Sequence, residues 1–246
     1  MQATMELIDR QEYVSWKLPK DWHIILTTNP DNGDYNVTSL DVAQKTRFIS
    51  VELKFDVDVW AKWAEQANID GRCINFLLMH PESVTQRINP RAVTTFFNAI
   101  SSIPDFDSNL PLIQMIGEGS VGPEFASLFT MFINNKLDKI ISPQDILIKD
   151  EKYVVSTLRS IFGDEDSYRG DIASVVSTRL VNYSLAFAAK HSISQDMIDR
   201  LVVLSSKEDV FTEDLKYRLV KDIVNGNKPK FQRIMMNQEI IKMSLN

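Results

Sequence analysis

Asn29 and Arg91 are the two side chains whose surroundings most suggest chemistry. Asn29 ends the run Trp22-His23-Ile24-Ile25-Leu26-Thr27-Thr28-Asn29-Pro30. An apolar run that stops at an amide reads as a buried strand with a polar tip, and ligands of open α/β sheets bind at the carboxyl ends of strands. The plainer reading is that Asn29 opens an Asn-Pro turn. Arg91 follows Asn89 and Pro90, residue types that suit the N-cap and first position of a helix. A cation in a first turn opposes the helix dipole by about 0.3–1 kcal/mol, whereas the N-terminus itself attracts anions. Arg91 therefore either meets an anionic ligand or is solvated on the polar side.

Other candidates carry less. Gly117-Glu118-Gly119-Ser120-Val121-Gly122 fits G-x-G-x-x-G. A dinucleotide loop needs a strand before it and an acid about 20 residues after it. Neither is evident, which leaves a Gly-rich connection between helices. His80, before Pro81, reads as a terminal residue near a helix dipole. The single Cys73 excludes an intramolecular disulfide and sits in the apolar run 72–79, as a core thiol in a reducing compartment would.

The elements that must position these residues change character along the chain. Residues 3–9 read as the tail of a helix without a cap ahead of it, so the chain is expected to start late. Glu12 to Leu18 alternate as a half-buried strand before the Asn29 strand. After a polar loop to Asn36, Ser39 is placed to cap a short helix, Leu40 to Lys45, ending at Thr46-Arg47. Phe48 to Phe55 then alternate as an edge strand. From Asp56 the period becomes helical: Trp60, Trp63, Ala64 and Ala67 share one face, and Val93, Phe96, Phe97 and Ile100 form a stripe behind Arg91. Beyond Pro143 the pattern is helical throughout, including Ile172, Val175, Val176, Arg179, Leu180, Tyr183 and Phe187, and Lys149 to Lys152 mark a boundary. Of Met235, Met236 and Met243, all are read as core filling.

With 246 residues and 44% hydrophobic content the chain can bury a real core. A net charge of −6 argues against a dedicated nucleic-acid surface. The polar N-terminus and the lack of about 18 consecutive apolar residues point to a soluble, cytoplasmic protein without a membrane partner.

Three short segments, in this order, resemble the second half of a MoxR-type AAA+ ATPase. Ile25-Leu-Thr-Thr-Asn-Pro30 is similar to the sensor-1 strand, Leu40-Asp-Val-Ala-Gln-Lys-Thr-Arg-Phe48 to the segment ending in an arginine finger, and Asn89-Pro-Arg-Ala92 to the start of the sensor-2 helix. The resemblance covers about residues 1 to 135. It implies an α/β fold class, a partial AAA+ P-loop core at 1–55, followed by a helical lid at 56–149, while the helical pattern at 150–246 reads as a C-terminal extension outside the resemblance. It further implies that Asn29 positions the attacking water, that Arg47 reaches a neighbour's nucleotide, and that Arg91 binds a phosphate. ATP and Mg2+ would be the cofactors of the complete enzyme, a homo-oligomeric ring its assembly and a protein its remodelled substrate.

The pattern G-x-x-x-x-G-K-[ST] does not occur, and no apolar strand ending in paired acids precedes Asn29. In the family both lie upstream of the position matching Met1. The expectation is therefore a fragment, split gene or late start that is inactive until a P-loop-bearing N-terminal half, or full-length subunits, complete it. The rival expectation is a non-catalytic helical interaction protein that retains half of the fold.

Overall fold

A computed structural model describes residues 2–29, 42–85, 88–206, 209–238 and 240–241. The first 54 residues form one compact unit and residues 55–246 another. The first unit opens with helix α1 (Gln2–Arg10). A tight antiparallel ribbon follows, β1 (Glu12–Tyr13) and β2 (Trp16–Lys17), pairing Glu12 with Lys17 and Tyr13 with Trp16. A Lys17–Glu12 ion pair of 3.2 Å closes it.

The α/β core expected for residues 1–55 is not formed. Among the described residues this ribbon is the only sheet, and the rest of the regular structure is helical. Residues 22–29, expected as a buried strand, carry no ladder, and Ile25 is 85% exposed. Residues 49–55, expected as an edge strand, are likewise unpaired, with Ile49 96% exposed and Val51 and Leu53 open to solvent. A strand is stabilised by hydrogen bonds and packing from a neighbour. An apolar or alternating run supplies the side chains for burial but not the neighbour. Between these segments lies the short helix α2 (Val42–Lys45), with Thr46 donating to the Ala43 carbonyl at 3.1 Å. The expected Ser39 cap and the loop to Asn36 fall outside the described residues.

In the second unit helices begin where short polar side chains stand ready to cap them. Asp56 accepts from the Val59 N–H at 3.0 Å to start α3 (Val57–Gln66), which buries Trp60, Ala61 and Ala64. Asp70 caps α4 (Gly71–Met79), and Asn89 caps α5 (Pro90–Ile100) with Pro90 at its first position. Helices α6 (Leu110–Ser120) and α7 (Pro123–Asn134) complete a cluster centred on Phe76. The Phe76 ring meets Phe97, Phe125, Phe129 and Phe132 edge-on, with centroids 4.8–6.4 Å apart, the arrangement aromatic quadrupoles favour. Gly117 and Gly119 lie within α6 rather than in a connecting loop. A Cβ on Gly117 would stand 2.9 Å from the Ala126 Cβ, so this glycine permits the close approach of α6 and α7. Only Gly122, at φ +99°, makes the break between them.

A second hydrophobic cluster involves α8 (Pro143–Ile148), α9 (Glu151–Phe162), α10 (Gly170–Lys190), α11 (Gln195–Ser206), α12 (Glu213–Gly226) and α13 (Lys228–Phe231). Its spine is α10, which packs on α12, α9 and α8 and also on α3 and α4. Contact on several sides explains why α10 is apolar around much of its circumference. Its 21 residues are long and apolar enough to cross a membrane by length and composition alone, yet most of that stretch is buried inside the protein.

Candidate functional site

The three residues singled out by sequence are held differently. Asn29 is exposed in the unpaired segment, where its carbonyl accepts from the Thr28 hydroxyl at 3.1 Å. Arg47 follows α2 and is engaged within the first unit. Its Nε contacts both Asp9 carboxylate oxygens at 2.9 Å, and its Nη1 donates to the Ala43 carbonyl. Arg91 is exposed in the first turn of α5, where Asn89 Oδ1 accepts from the Ala92 N–H at 2.9 Å. It makes no ion pair among the described residues. Asn29 and Arg47 belong to the first unit and Arg91 to the second.

The family's magnesium ion does not fit the donors present. Among the described residues no three His, Cys, Asp or Glu side chains gather to hold a metal. Arg91 offers a contact for a phosphate, but the chain lacks the glycine-rich loop and lysine that would cradle the nucleotide.

A polar cavity that sequence reasoning missed lies between α3, α4, α10 and residues 138–144. It has a volume of about 360 Å³ and is lined by Glu65, Asp70, Arg72, Asn75, Asp138 and Arg179, among others. Arg179, from the middle of α10, donates through Nε to Glu65 Oε1 at 2.7 Å and through Nη1 to Asn75 Oδ1 at 3.0 Å. The Arg179 and Glu65 side chains are only 8% and 7% exposed. Gly71 makes room for this guanidinium, because a Cβ there would lie 2.5 Å from Nη2. Arg72 is engaged by its own partners: Nε and Nη2 hold Asp70, Nη1 and Nη2 reach the Pro104 and Ile103 carbonyls, and the group covers the Phe106 ring at 3.5 Å.

Asp138 is different. It is 7% exposed, yet its Oδ1 has no hydrogen-bond partner among the described residues. Burial, with the nearby Asp107 carboxylate adding to it, pushes the Asp138 pKa above the usual carboxylate value. Leaving a buried acceptor unpaired costs about 1–3 kcal/mol. Tyr183, also on the cavity wall, is raised by burial and then by the Glu65 charge.

A charge within the apolar stripe of α10 is the one sequence signal that could have pointed here, since a buried guanidinium requires partners. Those partners lie 114 and 104 residues away, and no spacing rule identifies them.

The chain matches no protein-family profile, no curated protein and no solved structure.

Proposed function

We propose that this chain is the helical, sensor-bearing portion of a MoxR-type AAA+ ATPase, a cytoplasmic machine that remodels a protein partner and turns over ATP only when joined by a P-loop-bearing polypeptide. The observation that carries the reading is Arg91: an exposed guanidinium, without an ion pair among the described residues, in the first turn of a helix capped by Asn89. That is the place the resemblance gives to a phosphate-binding sensor. The order of the motifs and the exposed apolar side chains of Ile25, Ile49, Val51 and Leu53 support a chain that meets another polypeptide. In the assembled ring, Arg91 contacts a phosphate, Asn29 orients water and Arg47 exchanges Asp9 for a neighbouring subunit's nucleotide.

The Arg47–Asp9 pair favours a second reading, a non-catalytic helical interaction protein, because a finger already paired at home is not free to act. Co-expression with a P-loop-bearing polypeptide encoded beside this chain separates the two. ATP turnover by the joint complex, absent from either part and lost on Arg47→Ala, is the result expected of the motor. A stable complex without nucleotide binding or turnover supports the non-catalytic reading.

A further inference from the structure

We infer that the cavity between α3, α4 and α10 binds a compact organic cation bearing an ammonium or guanidinium head. Its two arginines are already answered by carboxylates within the site: Arg179 by Glu65 and Arg72 by Asp70. The third lining carboxylate, Asp138, has no ion pair among the described residues, although it is 7% exposed. The five charged side chains therefore leave one negative charge uncompensated in an open, polar cleft.

The acceptors point the same way. Asp138 Oδ1 is buried without a donor. Glu65 spends Oε1 on Arg179, and its Oε2 has no hydrogen bond among the described residues. Two carboxylate oxygens that lack donors suit the several N–H groups of an ammonium or guanidinium. Tyr183 adds a partly apolar aromatic side chain to the lining. A volume of about 360 Å³ falls within the range of small-molecule sites.

A hard divalent metal fits poorly. It asks for six or more oxygen ligands, and two arginine side chains share this cavity. An inorganic anion is also disfavoured, because Glu65 and Asp70 already occupy the guanidinium donors that would hold it. The same cationic head can come from a free amine or from an arginine side chain of a peptide, and the two sources can be separated by experiment.

Isothermal titration of the full chain with agmatine, L-arginine and putrescine, and separately with a short arginine-containing peptide, tests the inference. Saturable one-to-one binding that weakens at least tenfold in Asp138→Asn, and is unchanged in the remote Asp209→Asn, is the expected result. Binding of the free amines identifies a small-molecule site, and binding of the peptide alone identifies a side-chain pocket. Asp138→Asn is expected to fold, because it removes an unpaired charge, and circular dichroism with thermal melting checks this. No binding of any probe by folded wild-type chain, or binding that Asp138→Asn leaves intact, overturns the inference.

Discussion

Arg179 donates to Glu65 across 2.7 Å, although 114 residues separate the two in the chain. The bond ties the middle of α10 to the end of α3, and Asn75 adds a tie to α4. Both charged side chains are almost wholly removed from water. Such a pair is costly to break and of little net benefit to make, because each charge has lost its hydration and depends on the other.

Arg179→Ala is accordingly expected to destabilise the chain by about 3–5 kcal/mol, since it strands the Glu65 carboxylate. Glu65→Leu combined with Arg179→Met should cost much less than the two single changes together. Urea denaturation of the four proteins gives the coupling, and strict additivity would sink this account.

Gly71→Ala should destabilise by about 1–3 kcal/mol through overpacking, because the new methyl meets a guanidinium held on two sides. The sign is expected to reverse in the Arg179→Ala background. There the clash is gone, and replacing a helical glycine gains up to about 1 kcal/mol. Denaturation midpoints measured in both backgrounds decide the point, and an equal loss in both would place the cause elsewhere.

The Asp138 carboxyl links stability to pH. Its folded pKa is raised above 3.8 by burial and Asp107, with its own backbone N–H and then Lys139 and Arg72 opposing. The native state therefore binds the proton more tightly, and this group's contribution to stability falls as pH rises through its folded value. Asp107 acts in the opposite direction. Hydrogen bonds from Lys136 and Lys139 hold its pKa below 3.8, so its contribution is present above 3.8 and lost as pH falls through the lower folded value. Asp138→Asn should be more stable than wild type at neutral pH, with the difference shrinking on acidification toward 3.8. Urea midpoints across that range test it, and a pH-independent difference would contradict the linkage.

The first unit is expected to drive self-association of the isolated chain through Ile25, Ile49, Val51 and Leu53. Ile49→Lys with Leu53→Lys should lower the apparent mass at a given concentration without altering the melting of the helical unit. Light scattering coupled to gel filtration reads this directly. A monodisperse wild-type monomer at high concentration would show that these side chains are already satisfied.

On the motor reading proposed above, Arg47→Ala in the joint complex should lower turnover by about 10³ to 10⁵ while leaving nucleotide binding nearly intact. Arg91→Ala should weaken ATP affinity by roughly 10- to 150-fold, the equivalent of one lost charge-assisted contact. Asn29→Ala should slow hydrolysis more than it weakens binding. Turnover and equilibrium titration with a fluorescent ATP analogue distinguish the three, and normal ATP binding by Arg91→Ala would remove it from the site.

Helix starts were legible in the sequence because their causes are local. The starts at Asp56 and Asn89 could be read because these side chains accept from N–H groups three residues ahead, and the i to i−4 bonds that follow need no distant partner; Asp70 caps α4 by the same local rule, although its sequence was not read that way. The apolar stripe of α5 is likewise a property of one segment, and its burial needs only some neighbour. The runs at 22–29 and 48–55 have strand-like side chains, but a strand exists only through pairing with another, and the tertiary structure leaves them unpaired. The cavity belongs to the same kind of information. Arg179 advertised itself as a charge on an apolar face, while Glu65, Gly71, Asn75 and Asp138 acquired their roles when folding brought separate helices together. Capping and periodicity are decided within a few residues, so the sequence alone determined them; partner identity depends on contacts across a hundred residues or more, and only the tertiary structure decided those.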